Sequence, residues 1–409
     1  MKVGFISQWY TPERASATLP GVITAALAEA GHDVTVVTGL PNYPDGQLYP
    51  GYKLRPYQRE TIAGIRVHRA PLFINHDANP VKRVANYSSF AASASAVALG
   101  ALKSVDAVWV HSTPATVAAP AMLLRALRGT PYVLHIQDVW PDTVTASGFM
   151  SKRRSAQLER PLHSFCNATY RHASAVRVTA PGMADLLEHR GVTPSKIDFL
   201  PNWCDETVFR PATAGPDLRR SFGDLPAFSV MYAGAMGEVQ GLDVVLDAAA
   251  LLKNRPDIGF VLVGDGVVRN RLKHRAEREG LTNVVFRPSQ PIENMAEVMD
   301  LSDIQLICLR DLPLYRITLP SKVQATMAAG RPMIASASGD AARVVTESGA
   351  GLACSPGSAA ELAAAVLTAY DAGEQTRKSW GTTGREHYLR EYSQLRGVAK
   401  MTETLEAAV

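Results

Sequence analysis

The 409-residue chain has only four cysteines, Cys166, Cys204, Cys308 and Cys354, and no two stand at metal-ligand or redox spacing. That excludes a disulfide framework and predicts a reducing compartment. No two aspartates occur at i, i+2, so the carboxylate pair that commonly grips a Mg²⁺–diphosphate is missing. No G-x-G-x-x-G follows a strand pattern, which disfavours a dinucleotide cofactor and hence a dehydrogenase. Neither sign of charge dominates, with 42 Lys and Arg against 38 Asp and Glu and a formal net charge of +4, and no basic stripe suggests nucleic acid. The longest apolar stretch, Phe90 to Leu102, is rich in Ala and Ser and too short for a bilayer span. Met1-Lys2 runs directly into Val3-Gly4-Phe5-Ile6, a strand pattern without a cleavable h-region before it, so no signal peptide is expected.

What is present is alternation. Short apolar runs predict strands at 2–6, 34–38, 65–69, 107–111, 132–136, 175–179 and 197–200, with helical spacing in the gaps, notably 84–103, 116–127 and 182–189. Residues 202–226, rich in Pro, Asp and Gly, read as a linker, and the rhythm then restarts. Second-half strands are predicted at 230–233, 260–263, 284–286, 304–308, 332–335 and 351–354, and 359–370 is a clear helix. A hydrophobic fraction of 46% and this length suit two α/β domains with parallel sheets covered on both faces. The expected boundaries are 1–202 and 203–382, with a helical segment at about 383–409 packing back on the first domain. Two such sheets facing across an interdomain cleft would place ligands outside the strand C-termini, in the loops that follow strands.

Several loops then become candidates. After the first strand, Ser7 to Ala17 opens a helix whose N-terminus could hold a phosphate, and Glu13, Arg14 and Ser16 are its candidate residues; a plain tight turn is the alternative. Gly234-Ala235-Met236-Gly237-Glu238-Val239-Gln240-Gly241 offers a glycine-rich anion cradle in which Gln240 could donate. Leu319-Pro320-Ser321-Lys322 precedes a helix. A lysine at a helix N-terminus is disfavoured unless an anion joins it, so Lys322 points to a bound phosphate, and Ser321 could cap the helix and donate. A solvated lysine is the bland reading. Asp265 and Gly266 form a turn after a strand, and Arg287 follows another, where backbone could read a base edge; a turn alone serves as well. In the first half, His135-Ile136-Gln137-Asp138-Val139-Trp140-Pro141-Asp142 gathers His, Asp and Trp: Asp138, ahead of His135, could handle a proton, and Trp140 could stack on a sugar ring. His111 is a weaker candidate of the same sort.

With these residues in view, the chain resembles the retaining GT-B glycosyltransferases of family four. The landmarks are Gly31-His32-Asp33-Val34-Thr35-Val36-Val37-Thr38, Leu200-Pro201-Asn202, Phe209-Arg210-Pro211, Val263-Gly264-Asp265-Gly266 and Met327-Ala328-Ala329-Gly330-Arg331-Pro332, in that order along nearly the whole chain. Pro41-Asn42-Tyr43-Pro44-Asp45-Gly46, Asp138-Val139-Trp140-Pro141-Asp142, Gln240-Gly241-Leu242 and Pro320-Ser321-Lys322 resemble the branch that builds O-antigen, capsule and colanic-acid units. There are departures. The family's glutamate pair would fall at Ile317 and Ala325, which leaves Gln324 as a substitute at the ribose. The diphosphate-clamping Arg and Lys would fall near Ala235 and Gln240, which leaves Lys322 as the replacement cation.

The resemblance implies transfer of a hexosyl or N-acetylhexosaminyl unit from a nucleotide diphosphate sugar, UDP-linked by expectation, to a saccharide. It also implies retained configuration and no metal or other cofactor. The donor side is expected at Gly234, Gly237, Gln240, Gly241, Asp265, Gly266, Arg287, Ser321, Lys322 and Gln324. The acceptor side is expected at Glu13, Arg14, Ser16, His111, Trp140 and Asn202, and catalysis at Asp138, Lys322 and His135. An undecaprenyl-diphosphate-linked acceptor would bring a cytoplasmic protein to the inner membrane face, with Val81-Lys82-Arg83-Val84 and Lys152-Arg153-Arg154 as candidate contacts. A sugar-nucleotide 2-epimerase and a non-catalytic nucleotide-sugar-binding module remain the alternatives.

Overall fold

The computed structural model describes residues 1–13, 18–75, 79–143 and 152–409. The chain divides into two compact units, Met1–Pro201 with Gly397–Val409, and Asn202–Arg396.

The first unit is built on β1 (Lys2–Ile6), β2 (Asp33–Gly39), β3 (Gln58–Ile62), β4 (Ile65–Ala70), β5 (Ala107–Ser112), β6 (Tyr132–Ile136), β7 (Ala175–Val178) and β8 (Ile197–Phe199). They form one sheet in the order β3-β4-β2-β1-β5-β6-β7-β8. All pairings are parallel except β3 with β4, a hairpin turned at Ala63-Gly64, both at positive φ. The antiparallel edge is a departure from the purely parallel sheet read from the sequence. Strand β3 has no buried face, so its apolar signal is weak. In contrast, every residue of β5 and β6 is buried, as continuous apolar runs covered on both faces should be.

The second unit carries β9 (Phe228–Ala233), β10 (Ile258–Val263), β11 (Val284–Arg287), β12 (Ile304–Cys308), β13 (Met333–Ser336) and β14 (Gly351–Cys354). The order is β11-β10-β9-β12-β13-β14, all parallel. Right-handed crossovers from a first central strand give this 3-2-1-4-5-6 arrangement, and the order reverses between β9 and β12. The same reversal in the first unit lies between β1 and β5.

The segment expected as one helix at 383–409 is two. A helix at Gly373–Glu391 belongs to the second unit, because Gly381 and Gly384 let it approach closely. A Cβ at Gly381 would stand 2.2 Å from the Gly330 carbonyl oxygen, and one at Gly384 2.7 Å from Ala350 Cβ. The next helix, Gln394–Ala408, enters the first unit. There Thr402 meets His32 Nε2 at 2.9 Å, Arg177 Nε donates to Thr404 at 2.9 Å, and Lys400 donates to the Phe199 carbonyl at 2.6 Å. Residues 202–226, read as a linker, also hold a short helix at Pro216–Phe222.

The loops above β1, β2 and β4 are organised by two buried charges. Arg69, on β4, is fully buried. Its guanidinium donates to the carbonyls of Gly39 and Thr11, pairs with Glu60 of β3, and lies 4.9 Å from the Tyr52 ring centre. Glu13, 2% exposed, accepts the backbone N–H groups of Tyr10, Asn42 and Tyr43, each at 2.8 Å. Burial outweighs these three bonds and raises the Glu13 carboxyl to about 7.

Two expectations follow. Arg69→Met leaves Glu60 and two carbonyls without their donor, so the first unit should lose about 3–5 kcal/mol. A urea titration followed by probes in each unit should show the first unit's transition move alone. For Glu13, the folded carboxyl titrates above its unfolded counterpart. Its stabilising contribution is therefore whole at low pH and is lost as pH rises from the ordinary value of 4.5 through about 7. The stability of Glu13→Gln should lack that slope, which is at most about 1.4 kcal/mol per pH unit.

Candidate functional site

At the reversal between β9 and β12, the strand β9 ends at Ala233 and the chain enters Gly234–Gly241. This loop is shaped from below by the β10 loop. Met236 N–H donates to Asp265 O at 2.8 Å and Val268 N–H to Met236 O at 3.2 Å. Only glycine fits at 264 and 266: a Cβ would lie 2.0 Å from the Gly234 oxygen and 2.4 Å from the Met236 oxygen, at φ of 138° and 148°. Val263-Gly264-Asp265-Gly266 thus supports the cradle through backbone contact. The Asp265 carboxylate, exposed, accepts its own neighbour Gly266 N–H at 2.7 Å.

Lys322 enters the same place from the helix Ser321–Ala328. Its stem folds back over Gly234, where a Cβ would come within 2.5 Å of Cε and 2.9 Å of Nζ. The ammonium lies 5.1 Å from the ring centre of Tyr232, whose hydroxyl is held by the Ala235 carbonyl at 2.5 Å. Burial pushes the Lys322 pKa down, while the Cys308 sulfur at the end of β12 acts the other way. Burial also keeps the Cys308 thiol protonated. Among the described residues no carboxylate pairs with Lys322. A half-buried cation beside a glycine-rich turn, with no counter-charge, is an anion site in waiting.

Other donor-side expectations are corrected in detail. Gln240 Oε1 accepts the Gly237 N–H at 2.9 Å, so these two close the turn on each other and that backbone N–H is engaged, while the donor expected of Gln240 is its Nε2. Gly241 adopts φ 60° to leave the turn. Ser321 caps nothing: Pro320 is the N-cap, and the Ser321 hydroxyl is exposed. The Arg287 guanidinium anchors the Pro216–Phe222 helix, its Nε donating to Phe222 O at 2.6 Å, while the backbone expected to read a base accepts the Gly264 N–H at 3.1 Å through the Arg287 carbonyl. Gln324 is 3% exposed, and its Oε1 is buried without a partner. A ligand hydroxyl is the kind of group that would satisfy it.

In the first unit the two histidines are core residues. His111 and His135 are paired across β5 and β6, their ring centres 6.1 Å apart. His135 is wholly buried against Trp109, its Nε2 3.0 Å from Leu200 O, and desolvation lowers its pKa to about 4. His111 is lowered still more firmly, first by burial and then by His135. Both rings are buried in the sheet, where burial favours the neutral form, so neither presents the exposed proton-handling or sugar-binding side chain expected of it. Trp140 is no open platform either: it is 8% exposed and packs edge-to-face on Tyr87 at 5.7 Å. Its carbonyl accepts from Arg190 at 3.0 Å, and Arg190 also binds Asp142. Glu13 is committed to loop amides. Arg14, Ser16 and the side chains of Lys152, Arg153 and Arg154 lie outside the described residues. Asn202, half-buried, opens the second unit.

Asp138 remains. It is half-buried, its Oδ2 accepts the Thr113 hydroxyl at 2.7 Å, and desolvation raises its pKa. Next to it stands Tyr87, the first of a run of aromatic rings that the sequence did not mark. Tyr87, whose pKa is raised by burial, feels the charges of Arg83 and Asp138 and lies near Tyr43. Tyr43 in turn meets Trp9 at 5.2 Å. Half-exposed Trp9, Tyr43 and Tyr87 with a carboxylate form a surface suited to a sugar's apolar face and hydroxyls. They come from a β1 loop, a β2 loop and a helix (Pro80–Ala101), so no local spacing announces them.

Comparison with known proteins bears on the fold and the family. Residues 21–203 match the glycosyl transferase 4-like domain, and 227–372 match the glycosyl transferases group 1. A putative colanic acid biosynthesis glycosyl transferase, WcaI of Escherichia coli (strain K12), is 30% identical over 78% of this chain and 79% of its own. A probable glycosyltransferase, WbjE of Pseudomonas aeruginosa, is 27% identical over 63% of this chain and 64% of its own. Among solved structures, HepE of Anabaena in complex with UDP and glucose superposes with a TM-score of 0.70 at 17% identity, covering 99% of both chains. WaaG, a glycosyltransferase involved in lipopolysaccharide biosynthesis, gives 0.68 at 17% identity over 98% of this chain and 99% of its own. The chain belongs to the glycosyltransferases of family four and has their GT-B fold of two Rossmann-like units.

Proposed function

We propose that the protein transfers a hexosyl or N-acetylhexosaminyl unit from a UDP-sugar to a saccharide acceptor in cell-surface polysaccharide synthesis, with retained configuration and no metal. The observation that carries this reading is Lys322, a half-buried ammonium without a carboxylate partner, lying over Gly234 where the strand order reverses. A leaving diphosphate supplies the missing negative charge. Its stabilisation by a cation fixed before the reaction lowers the barrier more than a solvated cation could. Gln324, with its unpartnered Oε1, takes a ribose hydroxyl. Asp138, held by Thr113, orients an acceptor hydroxyl beside Trp9, Tyr43 and Tyr87. The leaving diphosphate itself receives the acceptor proton, so a strong protein base is not required. Two similar proteins support the pathway and the donor: one is named for colanic acid biosynthesis, and HepE is in complex with UDP and glucose.

The acceptor is proposed to be lipid-linked and met at a membrane face. Among the described residues no helix is long and apolar enough to cross a membrane. Val81 and Val84, 71% and 50% exposed, start the helix Pro80–Ala101 beside Lys82 and Arg83. Phe73, 47% exposed, is tied to the same helix through Ser89, which accepts its N–H at 2.8 Å. Exposed apolar side chains interleaved with cations suit an anionic interface.

A thermal-shift panel of UDP, GDP, dTDP, ADP and their sugar conjugates, each with Mg²⁺ and with chelator, tests the donor reading. UDP compounds should raise the melting temperature in both conditions. Lys322→Ala should weaken UDP binding by about 10–100-fold, the worth of a hydrogen bond to a charged group. No shift with any nucleotide would sink the donor site, and a chelator-sensitive shift would end metal independence. In turnover assays, the anomeric coupling of the product reads retention. For the membrane reading, Val81→Ser with Val84→Ser should lose flotation on vesicles containing anionic lipid; equal flotation would exclude this helix as the contact.

A further inference from the structure

The loop Gly234–Gly241 contains no cation of its own; its one charged residue is Glu238. Yet a cationic side chain packs on the glycine at each end. At Gly234 it is Lys322. At Gly241 it is Arg310, from the loop that follows β12: a Cβ on Gly241 would stand 2.9 Å from Arg310 Cγ, and Gly241 holds φ at 60°. The contact is fixed by backbone, because Arg310 N–H donates to Val239 O at 2.9 Å. Arg310 thus packs on the glycine that ends the turn, as Lys322 packs on the one that begins it, and it follows β12, one of the two strands between which the order reverses.

Its guanidinium is exposed, and among the described residues no carboxylate pairs with it. Two of the acids nearby are already engaged. Asp311 binds Arg316 at 2.8 Å, and Asp243 binds Arg271 at 2.7 Å and Arg275 at 3.3 Å. Arg310, Gly241, Asp243, Arg271 and Asp311 line one shallow concavity with Glu238, whose exposed carboxylate has no such partner among the described residues. The stem of Arg310 is thus held while its head remains available, the arrangement that lets a guanidinium take a phosphate with two parallel N–H bonds.

We propose that Arg310 is the second diphosphate-binding cation of the donor site, holding the nucleoside diphosphate from the Gly241 end while Lys322 holds it from the Gly234 end. The proposal rests on the donor reading given above. It assigns the charge that the loop lacks at Ala235 and Gln240 to two residues distant in sequence. When the sugar departs, negative charge grows on the diphosphate, so Arg310 contributes to turnover as well as to affinity.

The test is calorimetric titration of the full chain with UDP, GDP, dTDP and ADP, each set against its monophosphate and nucleoside, for the parent, Arg310→Gln and Arg310→Lys. Arg310→Gln should keep the parent's melting temperature and its nucleoside affinity. It should bind the preferred diphosphate about 10-fold more weakly or worse, with a shallower salt dependence and a lower kcat. Arg310→Lys should recover part of the loss. Adding Gln240→Lys to Arg310→Gln, which returns a charge to the loop beside Gly241, should also recover part. Diphosphate affinity and kcat in Arg310→Gln equal to the parent's would overturn the proposal and leave the donor reading standing. A parent that binds none of the diphosphates would overturn both.

Discussion

The Lys322 ammonium has been drawn out of bulk water and given no counter-charge. Moving an ammonium into a poorly solvated place costs several kcal/mol after relaxation. The Tyr232 ring offsets part of it, of order 0.5–2 kcal/mol for a cation on an aromatic face. A surface lysine could relieve the rest by swinging into solvent. This one is held back over a glycine whose missing side chain makes the room. The strand order, the glycine turn and the helix start converge on that placement, and an anion bound beside the ammonium would offset the remaining cost.

The two units hold their loops in opposite ways. In the second, close approach does the work: Gly264 and Gly266 bring the β10 loop into backbone contact with the β9 loop, and no side chain intervenes. This leaves few polar groups to satisfy and makes the floor of the cradle intolerant of any Cβ. In the first, the loops are joined by ionisable groups. Arg69 and Glu13 each collect carbonyls or amides from segments more than twenty residues apart. Buried charges of this kind satisfy loop backbone that no ladder reaches, at the expense of sensitivity to pH and to truncation.

Chemically the division is coherent. The second unit offers cations and backbone at a sheet's reversal point, where anions bind, and a buried amide for a hydroxyl. The first offers rings and a carboxylate held by Thr113, where an uncharged, hydroxyl-rich molecule would bind. His111 and His135, which look like chemistry when written in a line, are packed between Phe5 and Trp109 and serve the core. The aspartate three residues beyond His135 is the titratable group left with access.

The sequence by itself determined the elements and their class. Runs such as Val3–Ile6, Ala107–His111 and Ile304–Cys308 are apolar on both faces, so they had to be buried parallel strands, and the restart after 226 had to be a second sheet. It also marked Lys322, because a cation at a helix start contradicts the dipole unless something answers it. It could not mark β3, whose residues have no buried face, nor the close approach of Gly381 to Gly330 that seats the Gly373–Glu391 helix in the second unit. Tertiary structure alone decided that Trp140 packs on Tyr87, that Arg287 faces the Pro216–Phe222 helix, and that Arg310 sits on Gly241. Each is a contact between residues at least 50 positions apart, and local periodicity carries no information about which distant surface a side chain will meet.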